Sequence, residues 1–325
     1  MENLKLIEEI AKRILKGKDI SFDDAYYLMK IKGADIYHLL AWANQIREKF
    51  KGKIINFCGI INAKSGKCSE DCAFCAQSIY HKTKIRVYPL MSVKEIVSEA
   101  KERIKQGAKR ISIVTSGRKV NNEELKIICE AIRYIKDMGV FSCVSLGLLD
   151  KEALLKLKEA GLNRYHHNLQ TSEDFYPKIC TTHSYEEKIN TIKDAKEIGL
   201  SVCCGGIMGM GEKEEDQIKL AFLLKKLNVD AIPINFLHPI AGTRLEHLKL
   251  LTPLNCLKII AIYRFILPDK EIIICGGREL NLRQLQNFMF VAGATGTIVG
   301  NYLTTKGRTP EADIELAEDM ELKIK

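Results

Sequence analysis

"KIINFCGIINAKSGKCSEDCAFCAQS", residues 53–78, runs from a β-branched apolar stretch straight into a loop with three cysteines. The first nine residues, "KIINFCGII", read as a strand. Cys68, Cys72 and Cys75 then follow at C-x3-C-x2-C spacing, close enough for their sulfurs to converge on one centre, as soft metals and iron-sulfur clusters require. A complete cluster normally takes four thiolates, so three leave one iron free to bind something else. Structural zinc is the alternative, but it closes with four ligands, and no second CxxC or HxxxH lies nearby.

Outward from this stretch, β-rich runs alternate with amphipathic helices, the pattern of parallel βαβ units. Further strands are expected at 110–117, 140–147, 164–169, 200–208, 231–237, 271–277 and 295–300, making eight. Ser92 and Ser184 are N-caps of helices that Gly107 and Gly199 close. Eight such units predict an α/β fold, a (β/α)8 TIM-type barrel over 53–305, with ligands at the C-terminal ends of the strands. A helical extension (1–52) precedes it, and a charged tail (306–325) follows. The three-cysteine loop, directly after the first strand, falls on that functional rim.

Composition narrows the setting. The opening residues are charged and amphipathic, and no stretch of the 325 is long and apolar enough to cross a bilayer. Eleven cysteines then point to a cytoplasmic chain that uses them for metal ligation or catalysis, since disulfides do not persist in a reducing compartment. The net charge of +9 is spread over helical faces without an aromatic-basic motif, which argues against nucleic-acid binding.

With strand and loop in place, the chain resembles the radical S-adenosylmethionine (SAM) enzymes, and among them the biotin synthase family. The likeness runs from about 53 to 305 and rests on "AKSGKCSEDCAFCAQS", "YHHNLQTSEDFYPKICTTHSYEEKINT", "GGIMGMGE", "PINFL", "GGREL" and "YLTT", in that order. It implies a [4Fe-4S] cluster on Cys68, Cys72 and Cys75, with SAM on the fourth iron. It also implies Phe74 against the adenine, Asn168 near the ribose, Lys188 near the SAM carboxylate, and the Gly205-Gly206-Ile207 backbone along the adenine edge. From the residues alone, Gly205 and Gly206 read equally well as a strand-end turn, and Lys188 as a solvated helix residue.

The resemblance further implies an auxiliary cluster inside the barrel, a [2Fe-2S] in the family, held by three strand cysteines and an arginine. Cys143 and Cys203 match that set, but Ser112 and Ile273 stand where the other two ligands belong. Strand side chains alternate, so Cys275 faces the way of Ile273, and the first strand offers Cys58. Cys58, Cys143, Cys203 and Cys275, on alternate strands, would form a four-thiolate site suited to a four-iron cluster. Cys204 is expected to face away from Cys203, and Cys129, Cys180 and Cys256 read as buried apolar cysteines. Asn235, Thr304 and Thr305 correspond to family residues near the substrate, dethiobiotin. His166 and Gln170 replace an Asn and an Asp, with His166 expected to line the site. A flavodoxin- or ferredoxin-type electron donor, iron-sulfur assembly proteins and a homodimer come with the family. The rival readings are a related radical SAM enzyme without sulfur insertion, of methylornithine synthase or hydrogenase maturase type, and a non-enzymatic iron-sulfur electron carrier.

Overall fold

The computed structural model describes residues 2–325. Its centre is a closed parallel barrel. Strands β1 (Ile54–Lys64), β2 (Arg110–Thr115), β3 (Phe141–Ser145), β4 (Arg164–His166), β5 (Ser201–Cys203), β6 (Gly206–Met208), β7 (Ala231–Phe236), β8 (Glu271–Ile274) and β9 (Gly296–Ile298) follow one another round the sheet. The ring closes where β9 pairs with β1, Cys58 opposite Ile298. All eight expected strands are present, but the fifth is broken into β5 and β6. The cause lies in its neighbour: Cys203 pairs with Ala231 and Gly206 with Ile234, which leaves Gly205 opposite Pro233. Proline has no N–H to donate to the ladder, so pairing lapses for that step. The strands close so tightly there that a Cβ on Gly205 would fall 2.0 Å from the Pro233 carbonyl oxygen.

Helices α1 (Glu2–Leu15), α2 (Phe22–Met29) and α3 (Asp35–Lys51) precede the barrel. Around it run α4 (Val93–Lys105), α5 (Asn122–Asp137), α6 (Lys151–Glu159), α7 (Tyr185–Glu197), α8 (Glu214–Lys226) and α9 (Pro253–Ile266), then the short α10 (Arg278–Leu282) and α11 (Phe288–Val291), and α12 (Pro310–Asp319). Capping boxes start three of them: Ser92 with Glu95, Asn121 with Glu124, and Ser184 with Glu187. Helix α9 is buried on every side because α3 covers the face that the barrel leaves open. The N-terminal helices thus share one hydrophobic core with the barrel, through residues such as Leu28, Leu39 and Ile260. No described helix is long and apolar enough to cross a membrane.

The charged tail is folded into this structure. Its final strand, β10 (Lys323–Ile324), pairs in parallel with the start of β1. Asp313 of α12 is 2% exposed and bonds Arg278, which is wholly buried, at 2.5 Å. Arg278 also donates to Tyr302. Replacing Asp313 by alanine leaves that guanidinium short of a buried partner, with an expected loss of about 3 kcal/mol. Urea unfolding should report it as a lower midpoint at unchanged slope.

Candidate active site

The loop 68–78 sits at the C-terminal end of β1, held by its own backbone and by the segment after β4. Cys68 donates its N–H to the Gln77 carbonyl, Cys75 turns back onto the Cys72 carbonyl, and Ala73 bonds the Ile179 carbonyl. Asp71 accepts from the Thr181 and Thr182 amides at 2.9 and 3.3 Å. With the backbone fixed, Cys68, Cys72, Cys75 and Phe74 all line one cavity of about 410 Å3 at the top of the barrel. Burial pushes the Cys75 thiol up to about 11 and raises Cys68 as well. A bound cation would be needed to hold such thiols as thiolates.

Deeper in the same cavity the strands contribute alternate residues. Cys58, Cys143, Cys203 and Cys275 all line it, as do Ser112 and Ile273. Cys58, Cys203 and Cys275 pack together with Ile273 in an inner cluster, so Cys275 does share the face of Ile273. Cys204 packs outward in the main core. Desolvation pushes Cys58 up to about 11 and raises the other three. The Cys203 thiol is raised further by Cys143, Cys275 and Cys58. Four buried thiols close enough to repel one another as thiolates make a donor set that fits a soft, multiply charged iron centre.

Two arginines lie at the floor. Arg110 and Arg164 line the cavity at the start of β2 and β4. Arg164 is braced by two hydrogen bonds to Glu271 of β8, at 2.8 and 3.1 Å. Burial works against the Arg164 charge, but Glu271 outweighs it and keeps the guanidinium protonated. Neither arginine was singled out in the sequence, although the signal is there. Arg164, His166, Asn168 and Gln170 alternate along one strand and its extension, and all four line the cavity. His167, between them, faces outward against Tyr165.

Desolvation lowers His166 to about 4, with Lys188 and Arg164 adding to the effect, so the imidazole is neutral at pH 7. Gln170 holds a left-handed backbone, φ 76°, and its buried Oε1 has no partner in the protein. A strained residue with a free acceptor is what a polar ligand would satisfy. Asn168 accepts from the Gly205 N–H at 3.0 Å. Of the Gly205-Gly206-Ile207 segment only Ile207 lines the cavity, the two glycines lying where neighbouring backbone passes. Lys188 is not solvated: it is 6% exposed, lies outside the cavity lining, and is lowered by desolvation against the opposing pull of Cys72.

Asn235, Thr304 and Thr305 line the opposite wall. The Asn235 amide is engaged at both ends, donating to the Gly206 carbonyl at 3.2 Å and accepting from Gly276 at 3.0 Å. One N–H and one lone pair remain for a ligand. Asn62 fixes the threonine loop by bonding the Leu303 carbonyl at 3.0 Å. Of the cysteines in or near helices, Cys129, Cys180 and Cys256 are all buried as expected. The Cys180 sulfur also lies 3.8 Å from that of Cys72, an approach between residues 108 apart that no local pattern reveals.

Comparison with known proteins decides the family. The chain is 48% identical to the biotin synthase of Citrifermentans bemidjiense over 98% of each chain. It is 49% identical to that of Geobacter sulfurreducens, over 98% of this chain and 97% of the relative. This chain belongs to the biotin synthase family. Its two halves also match family descriptions of their own: the radical SAM superfamily over residues 63–224, and the biotin and thiamin synthesis associated domain over 233–323. Among solved structures, a methylornithine synthase superposes with a TM-score of 0.85 at 20% identity, covering 97% of both chains. At that identity the likeness is one of fold. Biotin synthases and methylornithine synthases thus share a barrel, and it is the sequence that separates them here.

Proposed function

We propose that this chain converts dethiobiotin to biotin by radical C–H activation and sulfur insertion. The observation that carries the reading is the single cavity of about 410 Å3 with three loop thiols at its mouth and four strand thiols below. In a biotin synthase a [4Fe-4S] cluster with SAM supplies the 5′-deoxyadenosyl radical, and an auxiliary iron-sulfur cluster supplies the sulfur. The chain's own residues do the rest. Cys68, Cys72 and Cys75 hold the first cluster, Cys58, Cys143, Cys203 and Cys275 the second, and Arg110 and Arg164 offset the negative charge of the thiolates. Phe74 packs on the adenine, and Asn168, Gln170 and Ile207 line the nucleoside's place. Lys188, buried behind the loop, supplies positive potential for the SAM carboxylate. Asn235, with its amide already oriented, presents one donor to the ureido ring, while Thr304 and Thr305 take the carboxylate tail. Neutral His166 adds a hydrogen bond without a charge. The cavity walls keep water away from the reacting carbon.

An electron carrier has no need of a substrate-sized interior. A flavodoxin- or ferredoxin-type protein is our choice of reductant and a homodimer our choice of assembly, both following the family, and iron-sulfur assembly proteins are needed to load the clusters. We take the cytoplasm as the compartment because eleven thiols, none in a disulfide, need reducing surroundings. Anaerobic reconstitution with iron and sulfide counting, followed by assays for 5′-deoxyadenosine and biotin, tests the reading. Deoxyadenosine without biotin would leave a radical SAM enzyme of another specificity. Phe74→Ala is expected to weaken SAM binding by roughly tenfold while iron content stays at the wild-type level. Loss of iron in that variant would make Phe74 a structural residue instead.

A further inference from the structure

Behind the loop, on the side away from the cavity, Cys180 meets the loop cysteine that reaches both sides. Cys72 lines the cavity, yet its sulfur is 3.8 Å from Cys180 Sγ. His183 closes the group, with Nδ1 at 3.3 Å and Nε2 at 3.9 Å from the same sulfur. One ligand atom from each of the three residues lies within 4.8 Å of the other two. The 3.8 Å between the sulfurs is the separation that a single ion imposes, and the 3.9 Å to Nε2 lies a few tenths beyond its thiolate–imidazole counterpart. Two thiolates at about 2.3 Å from a tetrahedral first-row ion stand ~3.8 Å apart, and a thiolate and an imidazole ~3.6 Å. In a four-iron cluster each thiolate has its own iron, so its sulfurs are held farther apart.

The surroundings prepare the imidazole. Glu70 is 7% exposed, and its Oε2 lies 2.5 Å from His183 Nδ1. The same oxygen accepts from Thr182 at 2.8 Å and faces Arg118 at 3.6 Å. A carboxylate on one ring nitrogen fixes the tautomer and leaves the other free to ligate, the usual outer partner of a metal-bound histidine.

We propose that, before the loop receives its cluster, Cys72, Cys180 and His183 bind one divalent first-row cation, ferrous iron or zinc, at a mononuclear site that shares Cys72 with the cluster. Two thiolates and an imidazole are a donor set for such borderline ions. Because one thiol cannot serve both centres, filling either excludes the other. Ferrous iron bound there is an ion waiting beside the loop; zinc bound there blocks it. Binding of the ion stands by itself, whereas the exclusion rests on the loop being the site of the [4Fe-4S] cluster.

The full chain, stripped of metal under anaerobic reducing conditions, is titrated with cobalt(II), whose thiolate charge-transfer absorption reports sulfur ligation. One cobalt is expected that the Cys180→Ala chain does not take up, displaced by zinc at parity and by ferrous iron only in excess, the order of their affinities. Cys180→Ala and His183→Ala should weaken binding by at least about tenfold, and Cys180→Ser, which keeps the packing, should behave like Cys180→Ala. Cys68→Ala and Cys75→Ala should leave the titration unchanged. The opposite pattern, with loss in the Cys68 and Cys75 variants and none in the Cys180 variants, places the ion in the loop and overturns the proposal. A second arm offers iron and sulfide to zinc-loaded chains. Wild type should then assemble its cluster at least about tenfold more slowly than without zinc, and Cys180→Ser at its zinc-free rate. Equal slowing in both overturns the exclusion. If zinc-free wild type assembles no four-iron cluster, the cluster assignment fails, while the cobalt titration still decides the mononuclear site.

Discussion

Alanine at Cys68, Cys72 or Cys75 is expected to reduce SAM cleavage by more than about 100-fold, since even the outer partners of metal ligands are worth 10–100-fold. The three thiols are the loop's whole complement, and Cys68 and Cys75 have no substitute nearby. Cys72 is the instructive case, because Cys180 lies 3.8 Å from it. Cys180 packs in the core on the far side of Cys72 and does not line the cavity, so it should not restore the cluster when Cys72 is removed. Deoxyadenosine formation under strong reductant, with iron counted in each variant, checks this. Full activity in any one of them sinks the loop assignment.

Removing Cys58 or Cys275 should have the opposite selectivity. Both thiols line the lower cavity, and neither belongs to the loop. Alanine at either position is expected to deplete the auxiliary centre and bring biotin to background. SAM cleavage should stay within about twofold of wild type, because the two centres share no ligand. Iron and sulfide counts and Mössbauer spectra on the native chain and both variants report the loss directly, and a native count above that of a [2Fe-2S] would mark the four-iron alternative. A native-like auxiliary signal and biotin yield in both variants would leave Cys143 and Cys203 with other partners.

The elements that local chemistry dictates were legible in the sequence. Ser92 and Ser184 cap their helices as serines before an i+3 glutamate should, and period two put Cys275 beside Ile273. What escaped depends on distant partners. Pro233 breaks the strand next to its own, an effect visible only once Gly205 is known to lie opposite. The tail looked like a charged appendage because Asp313 reads as surface until Arg278 is placed against it. The burial of Lys188 and the approach of Cys180 to Cys72 escaped for the same reason: a local pattern says which side is buried, but not that a loop thiol from 108 or more residues away sits there.

The Arg164–Glu271 brace on the barrel floor joins β4 to β8. A gene cut anywhere between them would strand a desolvated charge in each fragment, a penalty of about 3–5 kcal/mol for a buried pair broken on one side. Half-barrels made from such a cut should therefore be insoluble alone and recover only when expressed together.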